Sequence, residues 1–341
     1  MPEANDPTRT QRLHAWAAER HGLSREAIDL RLAAGDASFR RYFRLQLPDG
    51  TTRMLMDAPP DREDSHPFVA IAEQWRAAGL PVPALHGVDL AAGFIELDDL
   101  GDTPLQDCLK DEDDPATLAW HERAMALIHG LQNRAPVDGL PAYDAALLGR
   151  ELDLFPDWCL GEWLDMAPPP DWAALREALI AEALEQPVVA VHRDFDAMNL
   201  MVKDDALHLI DFQDAVAGPL SYDLISLLRG RYCRFSKARF AAWTEAFRAR
   251  AVVDGRLPAS VDAATFLTRV QAMAAQRSLK VLGIFCRLTL RDARRGYLER
   301  LPHFLDHLED SLVDLPGHQG LRSWLADTFR PALMARLEES A

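Results

Sequence analysis

VVAVHRDFDAMNLMVKDDALHLIDFQD, residues 188–214, decides how the rest of the chain is read. Apolar alternation in its first four residues, around NLMV and around ALHLI predicts short strands, with Asp204-Asp205 as a turn between two of them. Polar residues fall between those strands at a fixed spacing: His192-Arg193-Asp194, then Asn199, then Asp211-Phe212 after the next strand pair. An aspartate in the first position can orient an acceptor hydroxyl and take its proton. An asparagine five residues on and a second aspartate beyond it supply the hard oxygen ligands that magnesium prefers. Any one of these residues alone reads as a turn former. Their joint order between β-type segments is what points to catalysis, with Asp194 as base, Asn199 and Asp211 as metal ligands and His192 as a scaffold residue of the loop.

Upstream, residues 10–32 carry apolar positions at helical spacing, Leu13, Trp16, Ala17, Leu23, Ile28 and Leu32, and predict one or two short helices. The stretch 35–59 then reads as two β-rich runs joined by Pro48-Asp49-Gly50, since Asp-Gly suits left-handed backbone. A helix over 67–78, stopped by Gly79-Leu80-Pro81, and strands at 85–88 and 93–97 complete a small β-rich lobe. Long helices follow at about 104–110, 115–133, 144–164 and 171–185, and helices resume after Tyr222. The expected division is residues 1–101, a nucleotide-binding lobe ending in a hinge, and residues 102–341, a catalytic and substrate-binding lobe.

Bulk properties exclude several classes. A hydrophobic fraction of 48% and a charged fraction of 26% are those of an ordinary globular protein. The formal charge of −16 argues against a broad nucleic-acid surface, which needs clustered Lys and Arg, though not against a nucleotide pocket with a few cations. Four separated cysteines form no CxxC pair and suit a reducing compartment. The N-terminus has no signal-like apolar core and no apolar run reaches membrane-spanning length, so the expectation is a cytoplasmic protein with no membrane and no obligate protein partner.

The loop H-R-D-x-x-x-x-N followed by Ile210-Asp211-Phe212-Gln213-Asp214, Gly218-Pro219 and Tyr222-Asp223 resembles the aminoglycoside phosphotransferase family. The resemblance implies an α+β, bilobal protein-kinase-like fold, with a small N-terminal β-rich lobe and a larger, mostly helical C-terminal lobe. It implies ATP as co-substrate and Mg2+ as cofactor, and it makes Asp223 a support of the catalytic loop. Gln213 stands where protein kinases carry the glycine of D-F-G, which speaks against their activation switch. The flanks GDASFRRYFRL (35–45), LMDAPPDRED (55–64), LDDLGD (97–102) and LKVLGIFCRLTLRDARRGYLERLPH (279–303) are similar to the anomeric N-acetylmuramate/N-acetylglucosamine kinases of bacterial cell-wall recycling. Membership there would imply phosphorylation of the C1 hydroxyl of an N-acetylated amino sugar to the α-1-phosphate. The alternatives are another small alcohol, such as an aminoglycoside or choline, as acceptor, or a catalytically silent nucleotide-binding scaffold.

For ATP, Gly35 and Ser38 are the expected phosphate-loop residues, placed between a helix and the first strand, and backbone groups at Glu96, Leu97 and Asp98 are the expected adenine contacts. The strand Thr52–Asp57 lacks the usual phosphate-binding lysine, leaving Arg40, Arg41, Arg44 or Arg53 to supply positive charge. For the acceptor, the candidates are Arg193, Phe195, Asp196, Arg231 and Tyr297: an aromatic ring to stack on a sugar face, Asp or Arg for its hydroxyls, and Arg for a lactyl carboxylate.

Overall fold

The structure, a computed structural model, describes residues 7–35, 39–313, 315 and 317–340. It divides into two compact units: Met1–Thr103 with Leu200–Asp214, and Pro104–Asn199 with Ala215–Ala341. The sequence reading cut the chain once, after Gly101, whereas by compactness residues 200–214 join the first unit.

The first unit begins with helix α1 (Pro7–Arg20) and an antiparallel sheet of β1 (Asp29–Gly35), β2 (Arg41–Gln46), β3 (Thr52–Asp57), β4 (Leu85–Asp89) and β5 (Phe94–Asp98), in the order β1-β2-β3-β5-β4. Helix α2 (His66–Ala77) lies between β3 and β4 in sequence. Leu13, Ala17 and Ala18 of α1 form a buried cluster with Phe43, Leu45, Leu55 and Phe94, so α1 covers one face of the sheet. On the same side Asp57, with no exposed surface, is shared by Arg9 (2.6 Å) and Arg41 (2.5 Å). A buried carboxylate is tolerated only when paired in this way.

Two sequence expectations are corrected in this unit. Residues 29–35 are a strand, not the end of a helix, and Leu32 is exposed rather than buried. The helix ends instead at Gly22, whose φ of +63° lets Leu23 N–H return to Ala18 O, a left-handed C-cap that glycine accommodates without strain. Consequently Gly35 does not precede the first strand; it closes β1 opposite Arg41, and the segment after it connects the first two strands.

Beyond residue 187 come four short strands: β6 (Val188–Val191), β7 (Leu200–Lys203), β8 (Ala206–Leu209) and β9 (Val216–Pro219). The β7-β8 hairpin turns on Asp204 and Asp205, both at positive φ, as a two-residue turn matched to strand twist requires. It is tied into the first unit by Val202 N–H to Thr103 O, Leu209 N–H to Pro81 O and the Lys203 ammonium to Asp99 O. β6 pairs with β9, a strand the sequence reading missed, and these two belong to the second unit.

The rest of the second unit is helical: α3 (Pro115–Arg134), α4 (Ala145–Leu154) running into wide π-type turns over Phe155–Leu164, α5 (Trp172–Leu184), α6 (Tyr222–Leu228), α7 (Lys237–Val253), α8 (Ala263–Leu290) and α9 (Leu301–Val313). Asp114, Asp144, Ser236 and Asp262 cap α3, α4, α7 and α8 through side-chain acceptors, satisfying backbone donors that a helix start leaves open. The 28-residue α8 is the axis of the unit, buried almost continuously from Val270 to Cys286 and packed by α4, α5, α6, α7 and α9. Gly283 is obligatory there, since a Cβ would lie 2.3 Å from the Leu154 carbonyl at the end of α4. No helix among the described residues is long and apolar enough to cross a membrane.

Candidate active site

The loop after β6 is built from below. The Asp223 carboxylate, on α6 and fully buried, accepts from the backbone N–H groups of His192 (2.8 Å) and Arg193 (3.0 Å). Arg193 sits at φ +77°, a conformation costly for a non-glycine residue and persistent only where the surroundings over-determine it. Above this anchor the Asp194 carbonyl accepts from Asp196 N–H (2.8 Å) and from Asn199 Nδ2 (2.9 Å). The loop is thus held by the backbone of Asp194 while the side chain is exposed. The Asn199 amide directs its nitrogen inward, which leaves Oδ1 as the atom available to a cation.

Arg193 is fastened at its other end by a buried network that the sequence did not signal. Glu151 of α4, nine-tenths buried, receives Arg193 (2.7 Å), Lys280 of α8 (2.8 Å) and the Tyr143 hydroxyl. Burial works to raise the Glu151 carboxyl, but the neighbouring Lys280 and Arg193 overcome it and hold it at about 2. Lys280 also donates to the Tyr222 hydroxyl at 2.9 Å.

Burial pushes the Asp223 carboxyl up to about 7, and the nearby Asp194 charge adds to the rise despite the two N–H bonds that favour ionisation. A folded value above the unfolded one means that the native state holds the proton longer, so Asp223 favours folding most at low pH and loses that contribution as pH climbs from about 4 to about 7. Asp223→Ala should abolish that pH dependence. It should also leave two buried N–H groups without their acceptor, each loss worth about 1–3 kcal/mol, and lower kcat by loosening Arg193 and Asp194. Urea denaturation of both proteins across pH 4–8 checks this; parallel curves would show that Asp223 does not titrate with folding.

The acceptor candidates separate. Phe195 has no exposed surface and packs edge-on against the His192 ring, so it is core and cannot stack on a sugar, a correction of the sequence expectation. His192, also fully buried, is in the supporting layer. Asp196 is buried too, its carboxylate held by Arg231 at 3.2 Å. Burial opposes the charge on Arg231, but Asp196, Tyr232 and Tyr297 all favour it, so Asp196, Arg231 and Tyr297 lie in one neighbourhood.

In the first unit, Asp211 has φ +62°, accepts from Gln213 Nε2 (2.9 Å) and is about one-third exposed. The following Phe212 is fully buried against Phe68 and Trp75 of α2, which locks the turn. The adenine expectation fails at Glu96 and Leu97, because β5 has strand partners on both sides and its ladder takes up their backbone groups. Asp98 N–H is likewise committed to Ala84 O, while the buried Glu96 carboxylate turns to Arg20, the last residue of α1, and to His21 just after it. Gly35 ends β1, and Ser38 lies outside the described residues. Glu63, which the sequence reading passed over, accepts from Phe39 N–H (2.9 Å) and lies 3.7 Å from Arg40.

Each unit carries a hard oxygen of the kind magnesium prefers, the Asp211 carboxylate in the first and the Asn199 amide oxygen in the second. Among the described residues no three His, Cys, Asp or Glu side chains gather around a metal position. Magnesium needs no such cage, since it keeps waters and nucleotide phosphates among its ligands and takes only one or two protein oxygens.

A five-stranded antiparallel sheet in a unit that also carries I-D-F, and a helical unit that carries H-R-D and Asn199, define a protein-kinase-like phosphotransferase. Solved structures bear out that fold: a choline/ethanolamine kinase family protein from Mesorhizobium loti superposes with a TM-score of 0.60 at 15% identity, over 96% of this chain and 99% of that one. A Plasmodium vivax ethanolamine kinase does so with 0.57 at 9% identity, over 84% and 83%. The profile of the phosphotransferase enzyme family, APH, matches residues 29–261, and the chain belongs to that family. Its similar relatives include a Pseudomonas putida protein named N-acetylmuramate/N-acetylglucosamine kinase, 37% identical over 339 residues, 96% of this chain and 98% of the relative. A Neisseria meningitidis serogroup B protein of the same name is 36% identical over 286 residues, 82% and 85% of the two chains.

Proposed function

We propose that this chain is an ATP-dependent sugar kinase that transfers the γ-phosphoryl group to the anomeric C1 hydroxyl of N-acetylmuramate and N-acetylglucosamine, yielding the α-1-phosphate in peptidoglycan recycling. The observation that carries the reading is near-full-length identity to relatives of that name, 37% over 96% of the chain, together with the intact Asp194, Asn199 and Asp211. In this reading the acceptor oxygen attacks phosphorus, the bond from phosphorus to the β-phosphate oxygen breaks, ADP leaves with the electron pair, and the hydroxyl proton passes to the Asp194 carboxylate. By the family's motif Asn199 and Asp211 would be the magnesium ligands, and the metal would supply charge neutralisation at the phosphates. Arg231, braced by Asp196, takes the lactyl carboxylate of N-acetylmuramate, for which a guanidinium is the fitting partner. Expected soluble location in the cytoplasm follows from the same reading.

The test is ADP release by purified protein with Mg-ATP and, separately, N-acetylmuramate, N-acetylglucosamine, glucose, an aminoglycoside and choline. Turnover with the two N-acetylated sugars, well above the other three, is the expected result. Preference for choline or an aminoglycoside would keep the fold and overturn the substrate, and no turnover with any of them would favour a silent binding protein.

A further inference from the structure

We propose that Glu151 and Lys280 are positioning residues of the phosphoryl transfer: acting through Arg193, they hold the loop in the conformation that presents Asp194 to the acceptor hydroxyl; this rests on the reading of Asp194 as the base of an ATP-dependent phosphotransferase. Arg193, the residue before the base, has φ +77°, a conformation that persists only where contacts impose it. They do so from several directions. Asp223 of α6 takes the Arg193 N–H at 3.0 Å. Ser226, one turn further along α6, receives Arg277 Nε of α8 at 2.9 Å and reaches the Arg193 carbonyl at 3.5 Å. Glu151 of α4 takes the guanidinium at 2.7 Å. With backbone and side chain both anchored, the Cα of Arg193 cannot turn, and Asp194, next in the chain, is held with it.

The seat for the guanidinium is itself rigid. Oε1 of Glu151 receives Arg193 Nη2 and lies 2.8 Å from the Lys280 ammonium, while Oε2 accepts from the Tyr143 hydroxyl and from Gln276 Nε2 at 3.4 Å. Donors on both oxygens leave the carboxylate no freedom to rotate. Burial opposes the charge on Lys280, but Tyr222 and Glu151 favour it and prevail, so the ammonium stays charged beside the carboxylate.

Stability alone gives a poor account of this cluster. Two cations and one anion taken out of water are costly, and well-packed apolar residues of the same volume would stabilise the fold as much or more. What apolar residues cannot do is draw a guanidinium inward from a strained loop. Arg193 then belongs to the frame of the site and not to the acceptor, whose affinity the cluster should leave alone.

Steady-state kinetics of the full chain with Mg-ATP and N-acetylmuramate, or whichever alcohol the wild type prefers, read beside thermal unfolding, test the proposal. Glu151→Gln leaves two buried cations without their anion and should lower both the thermal midpoint and kcat. Adding Lys280→Met removes one of those cations. The double variant should regain much of the midpoint yet keep kcat about 10-fold or more below the wild type, because Arg193 still lacks its carboxylate and a small misplacement of a reacting group is costly. KM for both substrates should be unchanged. Lys280→Met alone leaves one cation on one carboxylate, so it keeps the fold even if the other variants do not, and should lower kcat by less than the double variant. Arg176→Met, which breaks the Arg176–Asp153 pair (2.6 Å) on the same helix α4, should leave kcat unchanged whatever it does to the midpoint. Recovery of kcat together with the midpoint in the double variant would mark a merely structural role. A raised acceptor KM at normal kcat would place Arg193 on the acceptor, and wild-type kcat in Lys280→Met would leave that residue without a part; any of these overturns the inference. A wild-type chain that phosphorylates no alcohol removes the kinase reading itself, whereas wild-type turnover with unaffected variants sinks this inference alone.

Discussion

Asp194→Asn is expected to lower kcat by about 10³-fold, within the range that general-base catalysis contributes, while leaving ATP affinity unchanged and costing no stability, since it relieves the repulsion on Asp223. The separation of effects comes from how the loop is built. Asp196 N–H and Asn199 Nδ2 bind the carbonyl of Asp194, not its carboxylate, and the Asp223 anchor reaches His192 and Arg193. An amide in place of the exposed carboxylate therefore removes the proton acceptor without removing a strut. Steady-state kinetics beside a denaturation curve and an ATP titration check all three quantities. A well-folded variant with near-normal kcat would mean that Asp194 is not the base.

The second large effect is at Asp211. Replacing it should cut kcat/KM for Mg-ATP by about 10³-fold, since magnesium at the transferring phosphates supplies several kcal/mol of charge stabilisation. The choice of variant matters because Asp211 has φ +62°, a region that asparagine tolerates better than alanine. Asp211→Asn thus isolates the carboxylate charge while keeping an amide oxygen, and Asp211→Ala removes the ligand altogether but adds backbone strain next to the buried Phe212. In a magnesium titration of turnover, half-saturation should move to much higher concentration in Asp211→Asn. Unchanged metal dependence would exclude Asp211 as a ligand.

The parts of this molecule that were legible in the sequence are those written in local pattern. Asp204-Asp205 between two apolar runs became the β7-β8 turn, Asp49-Gly50 lies in the β2-β3 turn, and the long helices of residues 115–133, 144–164 and 171–185 were placed within a residue or two. β1 was lost because Ile28, Leu30 and Leu32 alternate weakly on an edge strand and continue a helical spacing; Gly22, read as a helix stop, would have separated them.

Side-chain direction was the harder problem. Phe195 looked like a stacking ring beside the base, but the loop that exposes Asp194 turns the next side chain into the core. Glu96 and Leu97 looked like a recognition edge, yet β4, preceding β5 in sequence, pairs along it, a long-range arrangement no local pattern announces. Glu151 and Lys280 sit about 130 residues apart and meet only because α4 packs on α8; the one available signal was a lysine in the otherwise apolar run around Leu279–Phe285.

The central claim, phosphorylation at the anomeric oxygen, is tested most directly by nuclear magnetic resonance of the product formed from N-acetylmuramate labelled with carbon-13 at C1, Mg-ATP and this protein. The account predicts a phosphate monoester whose phosphorus couples to the labelled carbon, with the α configuration at C1 and lability to mild acid. A phosphate coupled to any other position, or labelled sugar returned unchanged while other alcohols are phosphorylated, would contradict it.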